Sequence, residues 1–187
     1  LSQKDVATLI TDQIAALDDL ISEQLSEIMH DEGFQAMEGS WRGLSHLVMN
    51  TETSTRLKIR LLPAQRSELQ KDLDKAVEFD QSNLFKKIYE DEYGSYGGTP
   101  YSLLIGDFYI GRSAPDIAFM EKMAGVAAAA HAPFLAAASP AMFDMGGFGE
   151  LGNPRDMAKL FESTELIKWR SFRDTEDSRY VTLTLPR

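Results

Sequence analysis

The sequence predicts an α/β (mixed α+β) fold, with an N-terminal helical hairpin followed by a sheet covered by helices. Three observations carry that expectation. Across residues 1–50 the apolar side chains recur at steps of three and four, the spacing of one helix face. Beyond them, strand-like and helix-like runs follow in the order strand, helix, strand, helix, strand, which is how helices come to cover a sheet. The 187 residues are 43% hydrophobic and 26% charged, enough apolar matter for a real core and too much for a disordered chain. The expected division is a helical region over 1–50 and an α/β domain over 51–187 that continues past this stretch.

Ser2, with Asp5 three places on, reads as a capping-box start. Val6, Leu9, Ile10, Ile14, Leu17, Leu20, Ile21, Leu25 and Ile28 then line one face of a helix of about seven turns. Asp31 is the expected cap of a second helix carrying Phe34, Met37, Trp41, Leu44 and Val48. Gly39 and Gly43, one turn apart on it, suggest close approach of another element. Arg56–Leu62 alternates polar and apolar as a half-buried strand does, and Pro63 ends it. A helix opened by Ser67 runs through Leu69, Leu73 and Val77 to Phe79, and Ser82 opens another through Leu84, Phe85, Ile88 and Tyr89. Tyr93–Pro100 is a loop. Tyr101–Ile110 reads as a strand with Leu103, Leu104 and Ile105 at a buried centre. Pro115 and Asp116 start a helix that Pro133 stops, and Phe134–Ala138 is a short buried strand. A glycine-rich loop, a helix over Pro154–Glu162, another over Glu165–Phe172 and a strand over Tyr180–Leu185 complete the chain.

Composition excludes several function classes. With 19 Lys and Arg against 29 Asp and Glu, the net charge of −10 repels phosphate backbones and anionic membrane surfaces, so no nucleic-acid partner is expected. Without cysteine there is no disulfide framework, thiolate metal site or cysteine nucleophile. No apolar run approaches the roughly 20 residues that cross a bilayer. The start at Leu1, with no signal-peptide pattern, and the end just after a strand-like run point to a piece of a longer cytoplasmic protein.

The motifs that could carry chemistry are weak. Gly147-Phe148-Gly149-Glu150-Leu151-Gly152 matches GxGxxG, but a dinucleotide loop needs its first glycine directly off a strand and its third inside the next helix. His30, His46 and His131 have no metal-ligand spacing, and His131 is placed to bond the last carbonyls of the alanine-rich helix. Ser113, Ser139 and Ser171 lack a nucleophile elbow or a partner histidine. Asp174, Glu176 and Asp177 could do acid–base work only if their environments differed, and interleaved arginines favour ion pairs instead. Arg170, Arg173, Glu176, Asp177 and Arg179 are therefore expected to be a structural polar network. No catalytic, cofactor or metal residues are assigned.

Four blocks in sequence order resemble one known family. Residues Phe34 to Leu44, FQAMEGSWRGL, with Leu47-Val48 after them, are similar to the FQxxExxWRGLxxLV signature of the large sheath subunit of type VI secretion systems, the TssC/VipB/EvpB type. Leu104-Ile105-Gly106-Asp107-Phe108 resembles that family's LIGDY/F segment. The run Ala127–Phe134, followed by Ala137-Ala138-Ser139-Pro140, resembles its AAxAHAPFxAAxSP stretch. Trp169–Arg173, Glu176-Asp177, Arg179-Tyr180 and Leu183–Arg187 resemble its WRSFRxxEDxRYxxLxLPR run. Family members are more than twice this length, so the chain would be the N-terminal portion of one.

The resemblance implies a non-enzymatic subunit of a contractile sheath in the cytoplasm of a Gram-negative bacterium. Its implied partners are the small sheath subunit, other sheath protomers, the Hcp inner tube, the baseplate and a ClpV-type AAA+ ATPase acting on the contracted sheath. Phe34, Trp41, Phe134, Trp169 and Tyr180 are the expected core signature, being aromatic residues of the recognised blocks. Leu9, Leu17 and Leu20 on the first helix are the interface candidates. The alternatives are a soluble adaptor capturing a partner through residues 1–50, or a nucleotide-binding enzyme using the Gly147–Gly152 loop.

Overall fold

The computed structural model describes residues 3–153 and 156–186. The helix starts expected at Ser2 and Pro154 lie outside the described residues. The chain falls into two compact units, Leu1–Leu61 and Leu62–Arg187.

The first unit holds α1 (Gln3–His30) and α2 (Glu32–Met49), separated by Asp31 alone. Asp31 leaves the helical region (φ −63°, ψ 129°), and its carboxylate accepts from the backbone N–H of Phe34 at 2.9 Å. That is the N-cap the sequence predicts, satisfying one of the helix's orphan donors. The apolar stripes of both helices remain exposed: Leu20 is 62% and Trp41 61% accessible, and α2 buries no residue. A Cβ added at Gly39 or Gly43 would meet nothing within 4 Å, so the close approach expected there is not made. Arg56–Leu62 forms no strand. Its alternation is real, but a strand needs a ladder partner, and the backbone N–H of Ser54 instead turns back onto the Leu57 carbonyl at 3.0 Å.

The second unit is built on a parallel sheet of β1 (Leu104–Ile110), β2 (Phe134–Ala138) and β3 (Val181–Thr184), in the spatial order β1-β2-β3. Leu104 pairs with Phe134 and Phe134 with Val181, so alternate residues of all three strands share one face. That face carries Phe108, Ile110, Phe134, Ala136 and Ala138 against the crossover helix α6 (Ala114–Ala129). α6 is held between sheet and further helices, which is why Ile117, Phe119, Met120, Met123 and Val126 are all buried. Its N-terminus is capped by Ser113, whose hydroxyl accepts from Asp116 N at 3.3 Å, with Pro115 in the first turn.

α6 ends in a Schellman arrangement: Ala132 N–H donates to the Ala127 carbonyl and His131 N–H to that of Ala128, with His131 left-handed at φ 51°. The backbone of His131, rather than the expected imidazole, satisfies the last turn. The opposite sheet face corrects a further expectation. Ile105 is 61% and Leu103 45% exposed rather than buried at the strand centre. Alternation puts Ile105 and Tyr109 opposite the α6 side, where the described residues supply no second helical layer.

Upstream of the sheet, α3 (Arg66–Lys75) starts one residue earlier than Ser67, through a capping box in which Glu68 accepts from Gln65 N at 2.8 Å. The helix ends before Val77, which is left 85% exposed. Ser82 caps the next helical run, made of α4 (Asn83–Phe85), a π-turn (Lys86–Glu90) and α5 (Asp91–Tyr93). Phe85, Tyr89 and Tyr93 stack along it, and the Tyr93 hydroxyl donates to the Ala130 carbonyl at 2.9 Å. Downstream, α7 (Met157–Phe161) and α8 (Ile167–Arg173) lead to β3.

Candidate functional site

Neither chemical motif forms a site. Between β2 and Gly147 come a 3-10 turn over Pro140–Phe143 and a left-handed Asp144 (φ 55°). Phe148–Gly152 is itself a 3-10 turn rather than a strand-to-helix junction. The Glu150 carboxylate accepts from Gly146 N at 2.9 Å, and the Phe148 ring lies 6.3 Å from that of Tyr109. The loop packs at the sheet instead of opening backbone N–H groups toward a pyrophosphate. Ser113 and Ser139 spend their hydroxyls on capping Asp116 N and Ala141 N. His30 Nδ1 lies 2.7 Å from the Ser26 carbonyl within α1, and His46 Nδ1 lies 3.2 Å from the amide of Asn50, the C-cap of α2. Among the described residues no three histidine or acidic side chains gather as metal ligands.

Among the described residues, the charged side chains near the C-terminus form one ion pair, Arg179 with Glu176, and a set of contacts to carbonyls. Arg170 Nη1 donates to the carbonyls of Phe161 and Ser163, at 2.7 and 2.8 Å. It thereby fastens the end of α7 to α8 through carbonyls, which a helix C-terminus leaves unsatisfied. Arg179 pairs with Glu176 at 2.8 Å in water, one turn apart, and such pairs add little. Arg173 and Asp177 are exposed.

The fastening the sequence did not reveal lies elsewhere. Arg66 on α3 pairs with Asp116 on α6, whose other oxygen accepts from Ser113 Oγ at 2.7 Å and Gly111 N at 3.2 Å. Lys122 reaches the Leu73 carbonyl at 2.9 Å and Asp74 at 2.8 Å. The Asp72 carboxylate receives Asn83 N, Asn83 Nδ2 and Leu84 N at 3.2, 2.6 and 2.8 Å. Burial raises its pKa, but the bonds from Leu84 and Asn83, with Lys75 nearby, outweigh that and hold the carboxyl below its ordinary value. The spacing Ser113-x-x-Asp116 was a local hint of one of these. Contacts fifty residues apart leave no such trace.

A cleft of about 540 Å³ opens beyond the carboxyl ends of β1 and β2, lined by Arg66, Tyr109, Arg112, Ser113, Asp116 and Glu165. Ligands of α/β proteins sit in that position. Here both arginines are ion-paired, Arg66 with Asp116 and Arg112 with Asp144 and Glu165 at 3.1 and 3.4 Å, although Arg66 Nε is buried without an acceptor among the described residues. The cleft fastens α3, α6 and the loops rather than presenting free charge.

The remaining candidates describe surface and core. Phe134 is 3% exposed, while Trp169, Tyr180 and Phe34 are half-buried. Trp41 stands in solvent, in contrast to its expected place in a core, because no other element of its unit covers that face of α2. Leu9, Leu17 and Leu20 form part of a continuous exposed ridge with Ile10, Ile14 and Ile21 on α1. The apolar side of this helix is thus left in water among the described residues. No helix among the described residues is long and apolar enough to cross a membrane.

These features meet a consistent set of likenesses. The family VipB (EvpB/VC_A0108, tail sheath N-terminal domain) matches residues 11–187. The chain is 49% identical over 189 aligned positions to the type VI secretion system sheath protein TssC1 of Pseudomonas aeruginosa. That alignment takes in 100% of this chain and 38% of the relative, so the chain spans well under half the relative's length. With all of the second unit and most of the first inside the match, the chain belongs to the VipB tail sheath family.

Proposed function

We propose that this chain is the N-terminal portion of a large contractile-sheath subunit of a type VI secretion system, acting as a structural element and not as an enzyme. The observation that carries the reading is the exposed ridge on α1, where residues with the spacing of a buried helix face stand in water. A protein that works alone gains nothing from that arrangement, whereas an assembly subunit buries it on joining its neighbours. Leu9, Leu17 and Leu20 lie at the interface, and the small sheath subunit is the partner that covers them. The same subunit contacts other sheath protomers, the Hcp inner tube and the baseplate, in the cytoplasm of a Gram-negative cell. ATP hydrolysis belongs to a ClpV-type partner that dismantles the contracted sheath. Arg170, Arg173, Glu176, Asp177 and Arg179 serve the fold and not chemistry.

Co-expression of the full-length parent chain with the adjacent small sheath subunit, followed by negative-stain microscopy, tests this. Long tubules are expected, and Leu9→Glu with Leu17→Glu and Leu20→Glu should abolish them while α1 stays helical by circular dichroism. Soluble complexes without tubules under every condition would refute the sheath reading. Tubules that survive the triple substitution would refute the role of α1.

A further inference from the structure

An edge strand, a groove and an orphaned donor coincide at one side of the second unit. β3 pairs with β2 through one edge, and among the described residues no strand pairs with its other edge. On the sheet face that Val181 and Leu183 share with Ala138 lies a groove of about 420 Å³, lined also by Phe161, Trp169, Phe172 and Leu185. Leu185 is 48% exposed, although it continues the alternation of Val181 and Leu183. The Trp169 indole Nε1 is buried there without an acceptor. Buried donors are almost always paired, so this open indole N–H leaves a place for a neighbour that brings an oxygen. Parallel sheets rarely leave an apolar edge of this kind open.

We propose that a strand from the polypeptide following residue 187 pairs with the free edge of β3, drops apolar side chains into this groove and supplies the acceptor for Trp169. Two facts select this occupant over another molecule. The matched family is an N-terminal domain, and 38% of the relative is covered, so most of such a chain follows this stretch. A segment tethered close to β3 also reaches the groove without the loss of translational and rotational freedom that a separate partner must meet. The pairing is strand addition, in which backbone bonds give affinity and alternate side chains give the fit.

Leu185 replaced by benzoylphenylalanine in the full-length parent chain provides the test, because a half-exposed rim position accepts the probe without disturbing the core. Irradiation should give an adduct that migrates at the mass of one chain and maps to a peptide beyond residue 187. Its yield should exceed that of the same probe at Lys168, which is exposed on α8. An adduct to the small sheath subunit or to a second copy would overturn the proposal, as would no adduct above the Lys168 control. The inference rests on family length and on the groove, not on sheath assembly. An intramolecular adduct in a chain that forms no tubules would uphold it while the sheath reading failed.

Discussion

Replacing Asp72 by alanine should weaken the second unit by about 1.5 kcal/mol at neutral pH. The carboxylate takes two backbone N–H groups and one side-chain amide at the start of the helical run 83–93, at 2.6 to 3.2 Å. Loss of an ordinary cap costs roughly 0.5–2 kcal/mol, and charge-assisted bonds lie toward the upper end. Water still reaches the group, which argues against the very top of the range. A loss of about 1.5 kcal/mol lowers the folding constant by about tenfold. The pH dependence gives the sharper test. Burial raises the Asp72 pKa, while its bonds to Leu84 and Asn83 and the charge of Lys75 lower it further, so the folded carboxyl titrates below its unfolded value. Stability from this group is therefore complete above the unfolded pKa of about 3.9 and is lost as pH falls from there through the folded value. Urea titrations followed by far-ultraviolet circular dichroism should show the wild-type advantage over Asp72→Ala at pH 7 shrinking below about pH 4. An advantage independent of pH, or none at pH 7, would refute the assignment of this carboxylate as the anchor of the run.

Five further substitutions probe packing. Gly125→Ala should destabilise by about 1–2 kcal/mol despite the better helix propensity of alanine, because its Cβ would lie 2.8 Å from the Phe79 ring. Gly39→Ala meets nothing within 4 Å and should raise helix stability by up to about 1 kcal/mol, so opposite signs in thermal melts check the pair. Phe134→Ala, at a residue 3% exposed, should cost about 3–5 kcal/mol in urea, whereas Trp41→Ala should leave the isolated chain within about 0.5 kcal/mol. Arg170→Met removes the donor that serves the Phe161 and Ser163 carbonyls and should lower stability by about 1–3 kcal/mol, read as a fall in urea midpoint.

Where the sequence was legible, the reason was locality. Asp31, Ser82 and Ser113 cap helices through bonds that span three residues, so each is visible in a short window. β2 was visible as an apolar run of strand length flanked by turn residues, and β3 as a strict apolar–polar alternation. The candidate site was less legible. Arg170 shows its charge in the sequence but not its acceptors, and carbonyls at the end of α7 are as good a partner as the carboxylates written beside it. Arg66 and Asp116 are fifty positions apart, a separation that no period can encode.

The remaining departures share one direction. Leu9, Leu17 and Leu20 on α1, Trp41 on α2, Leu57 and Leu61 in the Arg56–Leu62 run, and Ile105 on β1 all carry patterns that predict burial, and all are exposed. Periodicity reports which face of an element is apolar; it says nothing about whether the covering surface is part of the same stretch of chain. An apolar face costs solubility unless something covers it, so its upkeep in the sequence implies burial in the working state. In a subunit of an assembly, the positions where pattern and exposure disagree are then the map of its contacts. The exposed ridge of α1 and the open edge of β3 lie in different units, and different covers are assigned to them here. Disrupting one should leave the other intact: the triple α1 substitution should remove tubules without lowering the intramolecular adduct at Leu185. Loss of both together would show that a single partner covers the two surfaces, and would contradict the separate occupants assigned to them.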